Sequence, residues 1–134
     1  MTQNNITESV ISSIGEGIYK VTAEVRIIGD DLMISVWGGT APHIGSIAVS
    51  LPRPSLSDDS KTSSTSSVIN IIGHKDEIVA RMFSEKISSR FNKNAIATAG
   101  IHIDQITDDQ LSIIMNNISD LCKDIINKLE SLIK

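Results

Sequence analysis

Apolar and polar residues alternate from Tyr19 onward: Tyr19, Val21, Ala23, Val25 and Ile27 interleave with Lys20, Thr22, Glu24 and Arg26. A period of two is that of a strand with one wet face. Gly29-Asp30-Asp31 is a turn signal, and Leu32 to Trp37 reads as the returning strand, so the pair predicts an antiparallel hairpin. Gly38-Gly39-Thr40-Ala41-Pro42 breaks it. Ile44 to Leu51 predicts a third strand, small and apolar on both faces and therefore central. Pro52-Arg53-Pro54 is expected to end that strand, since proline cannot donate to a ladder. The Ser-, Thr- and Asp-rich stretch from Ser55 to Ser67 reads as a mobile loop. Loops of that length often serve as lids or binding segments. Val68 to Ile72 predicts a fourth strand.

The period then changes. Ile78, Val79, Met82, Phe83, Ile87 and Phe91 recur at helical spacing, from a start at Gly73-His74 to a stop at Asn92-Lys93-Asn94. Ala95 to Ile101 predicts a fifth strand, and strand–helix–strand implies a right-handed parallel crossover between the fourth and fifth. Thr107 with Gln110 is a capping-box signature. It opens a long C-terminal helix, 107–134, with Leu111, Ile114, Met115, Ile118, Leu121, Cys122, Ile125, Leu129 and Leu132 as its stripe. Ile113, Ile126 and Ile133 widen that stripe. The expected architecture is α+β: a single domain over 1–134, with a mixed sheet of about five strands, two helices on one face and a flexible N-terminal tail over 1–15. The other sheet face, carrying Met33 and Trp37, has no helix to cover it, which predicts a homodimer.

Composition narrows the function classes. The 134 residues carry a formal net charge of -4 and no Lys/Arg stripe, so a nucleic-acid surface is not expected. The single cysteine, Cys122, excludes an internal disulfide and a Cys-based zinc site, and falls on the apolar face of the last helix. With no signal-peptide pattern and no long uncharged apolar run, the expectation is a cytoplasmic protein without a membrane anchor.

All three histidines sit beside a glycine where a strand meets a loop: Pro42-His43-Ile44-Gly45, Gly73-His74-Lys75 and Gly100-Ile101-His102. Glycine permits close backbone approach, and histidine can bind metals, donate hydrogen bonds or move protons near neutral pH. If the fold gathers these junctions at one sheet edge, they form one site; otherwise they are ordinary turn histidines. The Gly73-His74-Lys75 helix start suits an anion, because a helix N-terminus offers free N–H groups and the positive dipole end. An ordinary capped helix accounts for the same residues. Arg53, held between prolines and followed by Ser55, Thr65 and Ser66, is a second candidate anion clamp. A three-histidine metal site has no supporting spacing, and neither a Gly-x-Ser-x-Gly elbow nor a placed carboxylate pair is present.

Taken together, Gly38-Gly39-Thr40-Ala41-Pro42-His43-Ile44-Gly45, Pro52-Arg53-Pro54-Ser55-Leu56, Thr65-Ser66-Ser67-Val68, Gly73-His74-Lys75-Asp76 with Ala80-Arg81, and Thr98-Ala99-Gly100-Ile101-His102-Ile103-Asp104 resemble the prenylated-flavin chaperone family. These are small LpdD-like proteins associated with UbiD-like decarboxylases. The resemblance runs from about Tyr19 to Asn117. It implies a proteasome-assembly-chaperone-like fold, a dimer, and binding of prenylated FMN, or of FMN itself, for delivery to or oxidative maturation in a UbiD-like decarboxylase, with a flavin prenyltransferase as a further partner. Arg53, Ser55, Thr65, Ser66 or the Gly73-His74-Lys75 start would hold the phosphate. Gly38, Gly39, Gly45 and Ile101 would offer backbone to the rings, with His43 and His102 on their polar edges. Two alternatives stand beside the chaperone: a structural accessory subunit of a decarboxylase, and a histidine-based enzyme that oxidises the reduced cofactor.

Overall fold

A computed structural model of the chain describes residues 8–71 and 75–133. The elements run β1 (Ser9–Ile14), β2 (Val21–Ile28), β3 (Asp31–Gly39), β4 (Ser46–Pro54), β5 (Thr62–Asn70), α1 (Lys75–Phe91), β6 (Ala95–His102) and α2 (Asp108–Leu132). The strands form one mixed sheet in the order β1-β2-β3-β6-β4-β5. Only β3 and β6 pair in parallel; every other ladder is antiparallel. The class is α+β as expected, with one strand more than the alternation predicted.

One sheet face carries the core. Val21, Ala23 and Val25 of β2, Ile34 of β3, and Ala95, Ala97 and Ala99 of β6 are all inaccessible to solvent. The alanines of β6 are short, so helices can lie close over the centre of the sheet. Phe83 and Ile87 of α1 and Ile118, Leu121 and Ile125 of α2 complete the same core. α1 packs over β4, β5 and β6, whereas α2 packs over β1 and β2. Thr107 caps α2 as its sequence predicts: its side chain accepts from the Gln110 N–H, and the Gln110 side chain accepts from the Thr107 N–H.

Three expectations are corrected. Ser9–Ile14, expected within the tail, form edge strand β1 against β2; residues 1–7 lie outside the described ones. The inward Ser12 donates to Asp124 of α2, a polar link that hydropathy does not register. Pro52-Arg53-Pro54 continues β4 instead of ending it. The ladder to β6 stops at Ser50, so beyond it β4 has only one hydrogen-bonded neighbour, the setting in which proline is tolerated. The stretch expected as loop 55–67 is half strand: β5 begins at Thr62. There Ser64 donates to the Glu85 carbonyl and Ser66 to the Glu85 carboxylate, while Ser50 donates to Ser84 at 2.7 Å beneath α1. The parallel crossover expected from Val68–Ile72 to Ala95–Ile101 is present: β5 and β6 run in the same direction, with β4 between them and antiparallel to both.

The opposite sheet face is uncovered among the described residues. Register places Met33, Ile96, Val49 and Ser67 in one cross-strand row, and Ser35, Thr98, Ile47 and Ile69 in the next. Ile69 and Leu51 are more than half exposed, and Met33 and Ile96 little less. The widened stripe of α2, by contrast, is mostly spent on the core: Ile126 and Ile133 pack against it, and Ile113 and Leu132 remain exposed.

Candidate functional site

β3 and β6 are parallel, so their C-terminal ends meet at one end of the sheet, and the register pairs Gly39 with His102 there. The β3–β4 connection folds back over this end. Its Thr40 and Ala41 N–H groups both reach the His102 carbonyl, at 2.7 and 3.3 Å, and the Gly45 N–H reaches the Ala99 carbonyl at 2.9 Å. Gly39 makes the turn with φ of 83°, a left-handed conformation that side chains disfavour. Gly100 lies directly beneath the His43 carbonyl; a methyl group at that position would overlap it. Thr40 ties the turn further, donating to the His102 carbonyl and accepting from the Asp104 N–H.

The closed turn sets His43 against the first turn of α1. Its Nδ1 faces the Ala41 carbonyl at 3.1 Å and its Nε2 faces Asp76 Oδ2 at 3.0 Å. A carbonyl and a carboxylate both only accept, so each of these contacts needs its proton from the ring nitrogen that faces it. Asp76 is buried and fully engaged, since its Oδ1 accepts the Ile101 N–H at 3.0 Å. His102 completes the group. Its ring centroid lies 6.4 Å from that of His43, with the planes at 78°. Its Nε2 pairs with Asp104 Oδ1 at 2.9 Å in an exposed contact. The result is two histidine–aspartate pairs side by side, one shielded and one wet.

A cleft of about 170 Å³ opens beside them, with Lys75, Asp76 and His102 at its polar side and apolar residues of α1, β6 and α2 behind. On the uncovered sheet face, a shallower groove of about 360 Å³ runs between Trp37, Thr98 and the His43-Ile44 turn. His43 and its turn therefore stand between two concave surfaces.

Of the candidates read from sequence, Gly38, Gly39, His43, Gly45, Lys75, Ile101 and His102 do gather at this end of the sheet. Gly73 and His74 lie outside the described residues. Arg53, Ser55, Thr65 and Ser66 are not brought to this end. Arg53 is seven residues along β4 from Ser46, roughly 23 Å at the rise of a strand. Its Nε donates to Thr65 at 2.7 Å, Ser55 bonds Ser57, and Ser66 turns inward to Glu85. The two anion-binding candidates thus belong to opposite ends of one protomer. What the sequence reading missed is Asp76 as the partner of His43. The signal was present: Asp76, Val79, Ala80 and Phe83 share one helix face at i, i+3, i+4 and i+7, which puts the carboxylate on the buried stripe.

The chain is 32% identical over 113 residues to Protein LpdD of Lactiplantibacillus plantarum, a match spanning 84% of this chain and 79% of that protein. Its fold matches a chain in the crystal structure of a chaperone complex for yeast 20S proteasome assembly, with a TM-score of 0.59 over 96% of this chain and 98% of that one. At 16% identity that likeness concerns the fold alone. The family model described as the prenylated flavin chaperone LpdD-like domain matches residues 15–130, and the chain belongs to this chaperone family.

Proposed function

We propose that this protein binds prenylated FMN at the sheet end formed by β3, β6 and the start of α1, and passes it to a UbiD-like decarboxylase without turning over acid itself. The observation that carries this reading is the pairing of His43–Asp76 and His102–Asp104 beside an apolar cleft, in a chain of the prenylated flavin chaperone family. The donor set suits a flavin nucleotide. Lys75 and the first turn of α1 favour a phosphate, and imidazole N–H groups suit the carbonyl edge of the ring. The volume suits only part of it: about 170 Å³ is well below the roughly 300–1,000 Å³ of pockets that bury a whole ligand of that size. The rest of the cofactor lies outside the cleft. We take the functional unit to be a homodimer joined through the apolar residues of the uncovered sheet face, Met33, Ile47, Val49, Ile69 and Ile96.

The test is anaerobic titration with reduced prenylated FMN, followed by addition of apo-decarboxylase and measurement of CO2 release. The protein should raise the yield of active enzyme. Lys75→Ala and His102→Ala should each weaken binding about tenfold, the scale of one lost charge-assisted contact. Arg53→Ala, at the far end of the sheet, should leave it unchanged. No binding, or full activity of the reconstituted enzyme irrespective of this protein, would leave an accessory structural subunit as the better reading.

A further inference from the structure

The cleft beside His102 is built unlike an ordinary polar binding groove. Its back wall is hydrocarbon: Val79 from α1, Ile103 after β6, and Leu111, Ile114, Met115 and Ile118 from successive turns of α2. Its polar lining residues are Lys75, Asp76 and His102, and Asp76 already has both oxygens engaged by Ile101 and His43. Close-packed interiors leave few voids larger than a water molecule, and an apolar space offers water no partners. An engineered apolar cavity of about 150 Å³ stays dry and takes up benzene. A cleft of about 170 Å³ with such walls therefore matches a compact hydrocarbon group of five to seven carbons attached to a polar remainder.

We infer that this cleft is the subsite for the isoprenoid-derived carbons of the cofactor, and that it makes the protein select prenylated over unmodified flavin. This rests on the proposed flavin-binding reading for the identity of the ligand, whereas the preference for a small branched hydrocarbon rests on the cleft alone. The flavin ring and phosphate are common to both nucleotides, so the histidine pairs and Lys75 cannot separate them. Only a surface that gains from burying the added five carbons can, and the wall of α2 is that surface.

Two measurements test the assignment together. In the first, affinities for prenylated FMN and FMN are compared in the wild-type protein and in Leu111→Trp, which fills the cleft from a half-buried position; Leu111→Met is the volume-conserving control. The wild type and Leu111→Met should favour the prenylated form by about tenfold or more. Leu111→Trp should abolish the preference and leave FMN binding intact. In the second, methyl NMR follows titration with 3-methyl-2-buten-1-ol alone, which should shift the Ile114 and Ile118 methyl signals in the wild type and not in Leu111→Trp. Equal affinity for the two flavins in the wild type, or a preference that survives filling, overturns the inference. If neither flavin binds, the flavin-binding reading fails, and the alcohol titration still decides the cleft: shifts at Ile114 and Ile118 uphold a small-hydrocarbon subsite and their absence removes it. Should Leu111→Trp not fold, Met115→Phe narrows the same space and is read in the same way.

Discussion

Asp76 can be interrogated by two substitutions that separate its roles. Asp76→Ala removes both hydrogen bonds at once: the one that satisfies the Ile101 N–H and the one that holds His43. The carboxylate is buried, so water does not freely replace it, although the His43 ring is about one-third exposed and recovers part of its loss from solvent. A hydrogen bond to a charged group contributes about 1.5–3 kcal/mol, and an orphaned half-buried N–H adds to the cost. Discounted for the exposure of His43, the total is about 2–4 kcal/mol. A chain of 134 residues unfolds with an entropy of roughly 0.28 kcal/mol per kelvin. The melting temperature should therefore fall by about 7–14 °C. Asp76→Asn keeps an oxygen for Ile101 and loses only the carboxylate facing His43, so it should cost about 1 kcal/mol, or about 3–4 °C. Differential scanning calorimetry on both variants measures this directly. A change under about 2 °C for Asp76→Ala, or equal losses for the two variants, would show that the carboxylate does not staple the turn to α1.

Three further outcomes follow from other parts of the fold. Gly100→Ala would set a methyl group against the His43 carbonyl, so amide hydrogen exchange at Thr40 to Gly45 should accelerate sharply while α2 stays protected; unchanged exchange across the turn would contradict the close approach. Burial pushes the Cys122 thiol from 9.0 up to about 11. Between those values the unfolded chain releases a proton that the folded chain retains, so this residue should make stability fall as pH rises from about 9 to about 11. Cys122→Ser should flatten that limb of a denaturation series, and in the native protein the thiol should resist alkylation at neutral pH. In the proposed homodimer, Met33→Glu on the uncovered sheet face should halve the particle mass measured by light scattering; a wild-type protein of single-chain mass, or a variant whose mass does not change, would overturn that assembly.

The hairpin and both helices were legible because each writes its burial in carbon. Val21, Ala23 and Val25, then Leu32, Ile34 and Val36, alternate as the ladder requires, and Ile114, Ile118, Leu121, Cys122, Ile125 and Leu129 follow the helical period. β1 was not legible because Ser12 interrupts its inward Val10 and Ile14 while Ile11 faces out, and the first half of β5 was not because its inward positions hold Ser64 and Ser66. Hydroxyls bonded to Asp124 and Glu85 tie these strands to the helices above them, yet on a hydropathy reading they look like loop. The strand order was hidden for a different reason. Local pattern tells which segments are strands, whereas the insertion of β6 between β3 and β4 is a long-range event. The same event explains the candidate site. The glycine-flanked histidines hinted at a shared edge, and His43 and His102 do meet; Arg53 was grouped with them by composition, and only the length of β4 separates it.

The position of β6 also determines when the site comes into being. β1, β2 and β3 form one antiparallel unit and β4 with β5 another, and among the described residues β6 is the strand that joins them. It is also the last strand in the chain, so until Ala95–His102 are in place the two units share no ladder. The backbone hydrogen bonds that tie the His43 turn down end on β6, at Ala99, Gly100 and His102, and Ile101 of the same strand holds Asp76. A chain halted before residue 95 would own Gly39, His43 and Asp76 and yet lack anything to hold them together. Any ligand of this site therefore spans a seam that no other ladder crosses, and its binding free energy is added to the whole sheet and not to one loop. Loading the protein is thus itself a report that the sheet has been sealed.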